Sequence, residues 1–161
     1  MSFPFPRFYE DVKIVPIASY ASANSDRNSE VIDTAGYGGC CVVVHHSVVH
    51  DSATYNIYLT SSDAASDQNT LTTGANVATS NQLVAAADDD TVRYIDFIPE
   101  KRYYQVVFDK DATNACAESA VAYLYNAKAR PVTQSTGNTT IGEGTGAVAG
   151  EFVGLAVQGT K

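Results

Sequence analysis

The chain has 161 residues, with ten Lys and Arg against eighteen Asp and Glu, so its formal net charge is −8 at neutral pH. That sign repels phosphate backbones, and the basic residues are scattered without forming a stripe, which removes nucleic acid from the expected partners. A charged fraction of 17% with abundant Ala, Val, Ser and Thr suits short strands whose small, weakly charged outer faces other proteins can cover.

The length is that of one domain with residues to spare for arms, and the expected division is an N-terminal arm over 1–16, a β domain over 17–128 and a C-terminal arm over 129–161. Met1 to Pro16 reads as an arm without helix at its start, because Pro4, Pro6 and Pro16 remove backbone donors and bias their predecessors to extended conformations. Phe3, Phe5, Phe8 and Tyr9 load this arm with aromatic surface. Each large apolar side chain left in water forgoes about 1.5–3 kcal/mol, so they are expected to dock on their own domain or on another subunit. The N-terminal sequence has no basic region ahead of an apolar core, and no run approaches a membrane span, so synthesis and use in cytosol, away from membranes, are expected.

Lys13 to Tyr20 predicts a first strand, with Pro16 arguing for a sheet edge or a bulge. Ala21 to Ser29 reads as a polar loop and Glu30 to Thr34 as a short strand, closed by a Gly36-Tyr37-Gly38-Gly39 turn. The β-branched segment Cys40 to Val49, a polar break at His50 to Ser52 and the alternating run Thr54 to Ser61 predict a β-hairpin that buries Tyr55, Ile57 and Leu59. Asp63 to Gln82 reads as a long exposed loop with one short strand at Leu71 to Thr73.

Leu83 to Ala87 is small and apolar, and Asp88-Asp89-Asp90 reads as a turn. Thr91 to Ile98 alternates Val92, Tyr94, Asp96 and Ile98 against Arg93, Ile95 and Phe97, with both faces partly apolar. The Pro99-Glu100-Lys101 turn then leads to Arg102–Asp109, predicting a second hairpin whose face of Tyr104, Val106 and Phe108 is the more apolar. Ala117 to Tyr125 is read as a strand in preference to a helix. The expected fold is all-β, an antiparallel β-sandwich or jelly roll of seven to eight strands. From Ala127 onward glycines punctuate Thr, Ala and Val, and only Glu151 to Val157, with Phe152, Val153 and Leu155, is apolar enough to act as an anchor.

No residue set carries recognisable catalysis. His46 and His50, four apart on a strand, are separated by roughly 13 Å, and His45 faces away from His46, so surface or hydrogen-bonded histidines are expected and not a metal site. Asp88 to Asp90 lack calcium-loop spacing and are expected to form a solvated turn or to present carboxylates to backbone amides. No GxSxG elbow occurs, and GEGTGAVAG at 142–150 lacks the framing strand, helix and lysine of a phosphate loop. A protein without enzymatic activity, cofactor or metal is the expectation. Cys40, Cys41 and Cys116 are expected as free thiols in a reducing compartment, with a bridge from Cys40 or Cys41 to Cys116 as the alternative.

The order VIDTAGYGGCCVVVHHSVV, TYNIYLTSSDAASD, LVAAADDDTVRYIDFIPEKRYYQVVFD and AVAYLYNAKARP, over about Val31 to Pro131, resembles a family of small structural proteins of tailed bacteriophages. Several members resemble head cement or decoration proteins, jelly-roll subunits on the outside of the capsid. The sequence departs from the family in a Pro-Glu pair where a glycine usually opens the last hairpin turn, and in its long arms. The resemblance implies a virion protein assembled in the host cytoplasm, with the major capsid protein and itself, as homodimer or homotrimer, for partners. Phe3, Phe5, Phe8, Tyr9, Phe152, Val153 and Leu155 are the expected interface anchors. A neck or tail component is the alternative within the virion. A carbohydrate-binding β-sandwich is a further one, its aromatic platform then built from tyrosines because the chain has no tryptophan.

Overall fold

A computed structural model describes residues 8–49, 54–64, 75–77, 82–110, 114–129 and 132–134. One helical turn, α1 (Phe8–Asp11), is closed by a 2.9 Å bond from the Val12 N–H to the Phe8 carbonyl. It lies inside the segment read as an arm, in a stretch between Pro6 and Pro16 where every residue keeps its N–H. The strands follow as β1 (Lys13–Ala23), β2 (Arg27–Asn28), β3 (Ile32–Asp33), β4 (Tyr37–Val48), β5 (Thr54–Ser62), β6 (Ala75–Asn76), β7 (Gln82–Ala85), β8 (Thr91–Phe97), β9 (Tyr103–Asp109) and β10 (Cys116–Ala127).

Among the described residues all pairing is antiparallel and falls into two sheets. One runs β1-β10-β4-β8; the other has β9 and β5 at its centre, β2 and β3 beside β9, and β6 and β7 beside β5. With β2 and β3 taken as one interrupted edge strand, and β6 and β7 as another, the chain passes through eight positions. The first pairs with the eighth, the second with the seventh, the third with the sixth and the fourth with the fifth, which is the winding of a jelly roll. The protein is thus an all-β sandwich, as its sequence predicts. Among the described residues ten strand segments appear where seven to eight were expected, because the edges are broken. At the first break Ser29 inserts between β2 and β3, its N–H donating to the Val106 carbonyl (2.9 Å) and its hydroxyl accepting from the Val106 N–H (3.0 Å).

Neither predicted hairpin forms. β4 and β5 lie in opposite sheets, and so do β8 and β9. A polar break between two alternating runs serves equally well as a hairpin turn or as a corner where the chain crosses between layers. At the second corner the Tyr104 hydroxyl accepts from the backbone N–H groups of Glu100 (2.8 Å) and Lys101 (3.0 Å), so the turn is tied to β9 below it.

The predicted faces do hold. Tyr55, Ile57 and Leu59 of β5 are buried, as are Tyr104, Val106 and Phe108 of β9, against Cys40, Val42 and Val44 of β4 and Ala120, Ala122 and Leu124 of β10. Pro16 sits on the edge strand β1 beside an irregularity of register, where its missing N–H costs no ladder bond. The polar stretch after Tyr20 is strand, not loop, through Ala23, because pairing with β10 overrides its weak pattern. The tight turn is only Ala35–Gly36, with φ +88° at Gly36, and Tyr37–Gly39 already belong to β4. The predicted strand at Leu71 to Thr73 lies outside the described residues.

Candidate docking surface

Register decides what the outer face of the β1-β10-β4-β8 sheet presents. One row crosses Ile14, Tyr123, Cys41 and Asp96; the next crosses Pro16, Val121, Val43 and Tyr94; a third crosses Ser119, His45 and Val92. These are the partners of the buried positions, since neighbours along a strand point to opposite faces. The face is therefore largely apolar, and at the β8 edge it is open: Val92 is 59%, Tyr94 68% and Ile98 78% exposed.

At the β1 edge the same face holds a groove of about 550 Å³ lined by Phe8, Val12, Ile14, Cys41, Tyr123 and Tyr125. The α1 turn forms its wall, with the Phe8 ring edge-on to Tyr123 at 6.1 Å between centroids. Its far side is shaped by Tyr125, which reaches over Gly39 of β4 to place its hydroxyl 2.7 Å from the Asp96 carboxylate on β8. That span is open only because position 39 has no side chain: a Cβ there would lie 2.2 Å from the Tyr125 ring. The hydrogen bond to Asp96, with partial burial, pushes the Tyr125 phenol up to about 12. Beyond the last strand, Gln134 clips the outer edge of β1. Its side-chain oxygen accepts from the Ile14 N–H (3.0 Å) and its amide donates to the Val12 carbonyl (2.7 Å), satisfying edge groups that would otherwise face solvent.

Of the expected anchors, Phe8 is 60% exposed yet meets Tyr123 edge-on at the groove. The backbone of Tyr9 lies in α1. Phe3, Phe5, Phe152, Val153 and Leu155 lie outside the described residues. Tyr94, Cys41, Tyr123 and Gln134 are not among the interface anchors expected from the sequence. The available signal was the apolar character of both faces of Thr91 to Ile98, which pointed to a strand with one apolar side left outside the core.

Polar chemistry is concentrated inside the sandwich. His46 is buried and its Nδ1 shares a 2.7 Å hydrogen bond with the Tyr55 hydroxyl, while His45 next to it is exposed. His50 lies outside the described residues. Glu118, fully buried, pairs with the Lys110 ammonium at 2.9 Å and with Arg27 at 3.4 Å. Lys110 also donates to the carbonyls of Ala23 (2.9 Å) and Cys116 (3.0 Å), which place two of its three ammonium protons on backbone oxygens. In the aspartate turn, Asp88 accepts from the Ala85 N–H (2.9 Å) and Asp89 from the Val49 N–H (2.7 Å), the expected use of carboxylates on backbone amides. The three cysteines are free; burial pushes the Cys40 thiol up to about 12, and Cys41 faces the groove half-buried. Among the described residues no three His, Cys, Asp or Glu side chains are grouped to hold a metal ion.

No protein-family model matches the chain, and no curated protein does. Fold and surface together define a jelly-roll domain with an apolar outer sheet face, and they assign no reaction.

Proposed function

We propose that this is a non-enzymatic bacteriophage virion structural protein, a capsid cement or decoration protein that binds the outer capsid surface and clamps neighbouring major capsid subunits. The observation that carries this reading is the outer face of the β1-β10-β4-β8 sheet, open and apolar at Val92, Tyr94 and Ile98 and flanked at its other edge by the arm residue Phe8. Large exposed apolar side chains on one sheet face mark a contact surface, and aromatic anchors dominate such contacts. The acidic charge suits a site outside the shell, away from packaged DNA. Arms that dock on adjacent capsomers add buried area and effective concentration without a larger core. The partners are the major capsid protein and further copies of this chain.

The test is binding of purified protein to capsids that lack it, counted on gels against the major capsid protein. Copy numbers comparable with that protein are expected. A single ring's worth per particle would move the protein to the neck or tail, and no binding would overturn the virion reading. Deleting residues 1–10 is expected to leave a folded domain that no longer occupies capsids.

A further inference from the structure

The groove beside α1 has a lining that restricts its occupant. Phe8, Val12, Ile14 and the Tyr123 ring offer apolar surface, the Tyr125 hydroxyl is already committed to Asp96, and the other polar side-chain atoms are the Tyr123 hydroxyl and the Cys41 thiol. Among the described residues no charged side chain lines the groove, so the complementary ligand is a short apolar segment.

The last described residue of the chain, Gln134, lies at this place. Gln134 is bonded to the backbone of Val12 and Ile14, two residues of the lining itself. Residues 135–161 follow, and within them Glu151 to Val157, EFVGLAV, is the apolar stretch. The intervening 135–150 contains Gly137, Gly142, Gly144, Gly146 and Gly150. A glycine-rich chain of that length has a root-mean-square span of about 22 Å, short enough to return to its starting edge. Tethered so, the segment meets the groove at an effective concentration in the range of about 1 mM, above that of a free partner or second copy in dilute solution.

We infer that residues 151–157 of the chain seat in this groove on its own sheet, with Phe152 and Leu155 as the side chains that fill it. The seat shields both apolar surfaces in the free subunit. It does not depend on capsids being the destination.

Cys41 is a built-in reporter, since it lines the groove while Cys40 and Cys116 are buried in the core. The experiment follows reaction of the full-length protein with a chromogenic thiol reagent, with Cys41→Ser identifying the reporting thiol. A Phe152→Asp/Leu155→Asp double variant is expected to label at Cys41 at least tenfold faster than the parent. The parent rate should be independent of protein concentration, and a synthetic EFVGLAV peptide should slow labelling of the double variant. Equal rates in parent and double variant would overturn the seat. Loss of protection on dilution would overturn it in favour of a second copy's segment. Acceleration by Phe3→Ser/Phe5→Ser alone would overturn it in favour of the N-terminal arm.

Discussion

His46 of β4 and Tyr55 of β5 meet across the core, the imidazole Nδ1 2.7 Å from the phenol oxygen and the rings nearly edge to face at 5.9 Å. They are nine residues apart in sequence and in opposite sheets, joined by the chain's crossing between layers. Burial pushes the His46 pKa down to about 4; Arg93, His45 and Lys110 push the same way, and Asp88 opposes them.

A histidine depressed in the folded state makes stability depend on pH in a defined window. Between pH 6.5 and about 4 the unfolded chain takes up a proton at this position and the folded one does not, so stability falls as the solution is acidified through that range. At about 1.4 kcal/mol per unit the loss reaches at most about 3–4 kcal/mol. Asp33 and Asp88, held below the usual carboxylate range by hydrogen bonds to Arg102 and Arg93, lose their contribution only below about pH 3.8, so the two effects separate. Urea unfolding at pH 6.5 and 4.5 should show the loss in the parent and a much smaller one in His46→Gln; parallel losses would count against it.

Glu118 and Lys110 form an ion pair inside the sandwich, with Arg27 at its rim. Removing one partner leaves a buried charge alone, which costs about 3–5 kcal/mol, whereas replacing both by apolar residues of similar size is often neutral. Glu118→Leu is therefore expected to be severely destabilised, and Lys110→Met/Glu118→Leu to recover most of the loss. Denaturant midpoints of the two variants check this. If the double variant is no more stable than the single one, the hydrogen bonds from Lys110 to Ala23 and Cys116, and not the pairing itself, are what the fold needs.

Gly39 lies under the Tyr125 ring, which crosses β4 to reach Asp96. Gly39→Val should displace that ring, break its bond to Asp96 and cost about 1–3 kcal/mol as an overpacked contact. The expected signature in ultraviolet titration is loss of the phenol ionising at about 12, and Asp96→Asn should reproduce that loss without the steric change.

Val92, Tyr94 and Ile98 make up the open end of the outer face. Because they are exposed, a Val92→Ser/Tyr94→Ser/Ile98→Ser variant should change stability by less than about 1 kcal/mol, and it should lose occupancy on capsids that lack the native protein. Undiminished occupancy would move the contact to the arms.

The sequence by itself determined which side of β5 and which side of β9 is buried. The alternation in Thr54 to Ser61 put Tyr55, Ile57 and Leu59 inside, and that in Arg102 to Asp109 put Tyr104, Val106 and Phe108 there. It also identified the all-β class, and it offered the edge position of Pro16 beside a bulge, and carboxylates on backbone amides beside a solvated aspartate turn, as alternatives between which it did not choose. The tertiary structure alone decided strand partners, and with them the docking face. A period of two names a face but not a neighbour, and a polar turn looks the same whether the chain doubles back or crosses to the other layer. Tyr123, Cys41 and Asp96 share a row, and Gln134 reaches Val12 and Ile14, through pairings distant in sequence. Such pairings are selected by how the two layers close over their buried faces, a property of the whole chain and not of any one stretch.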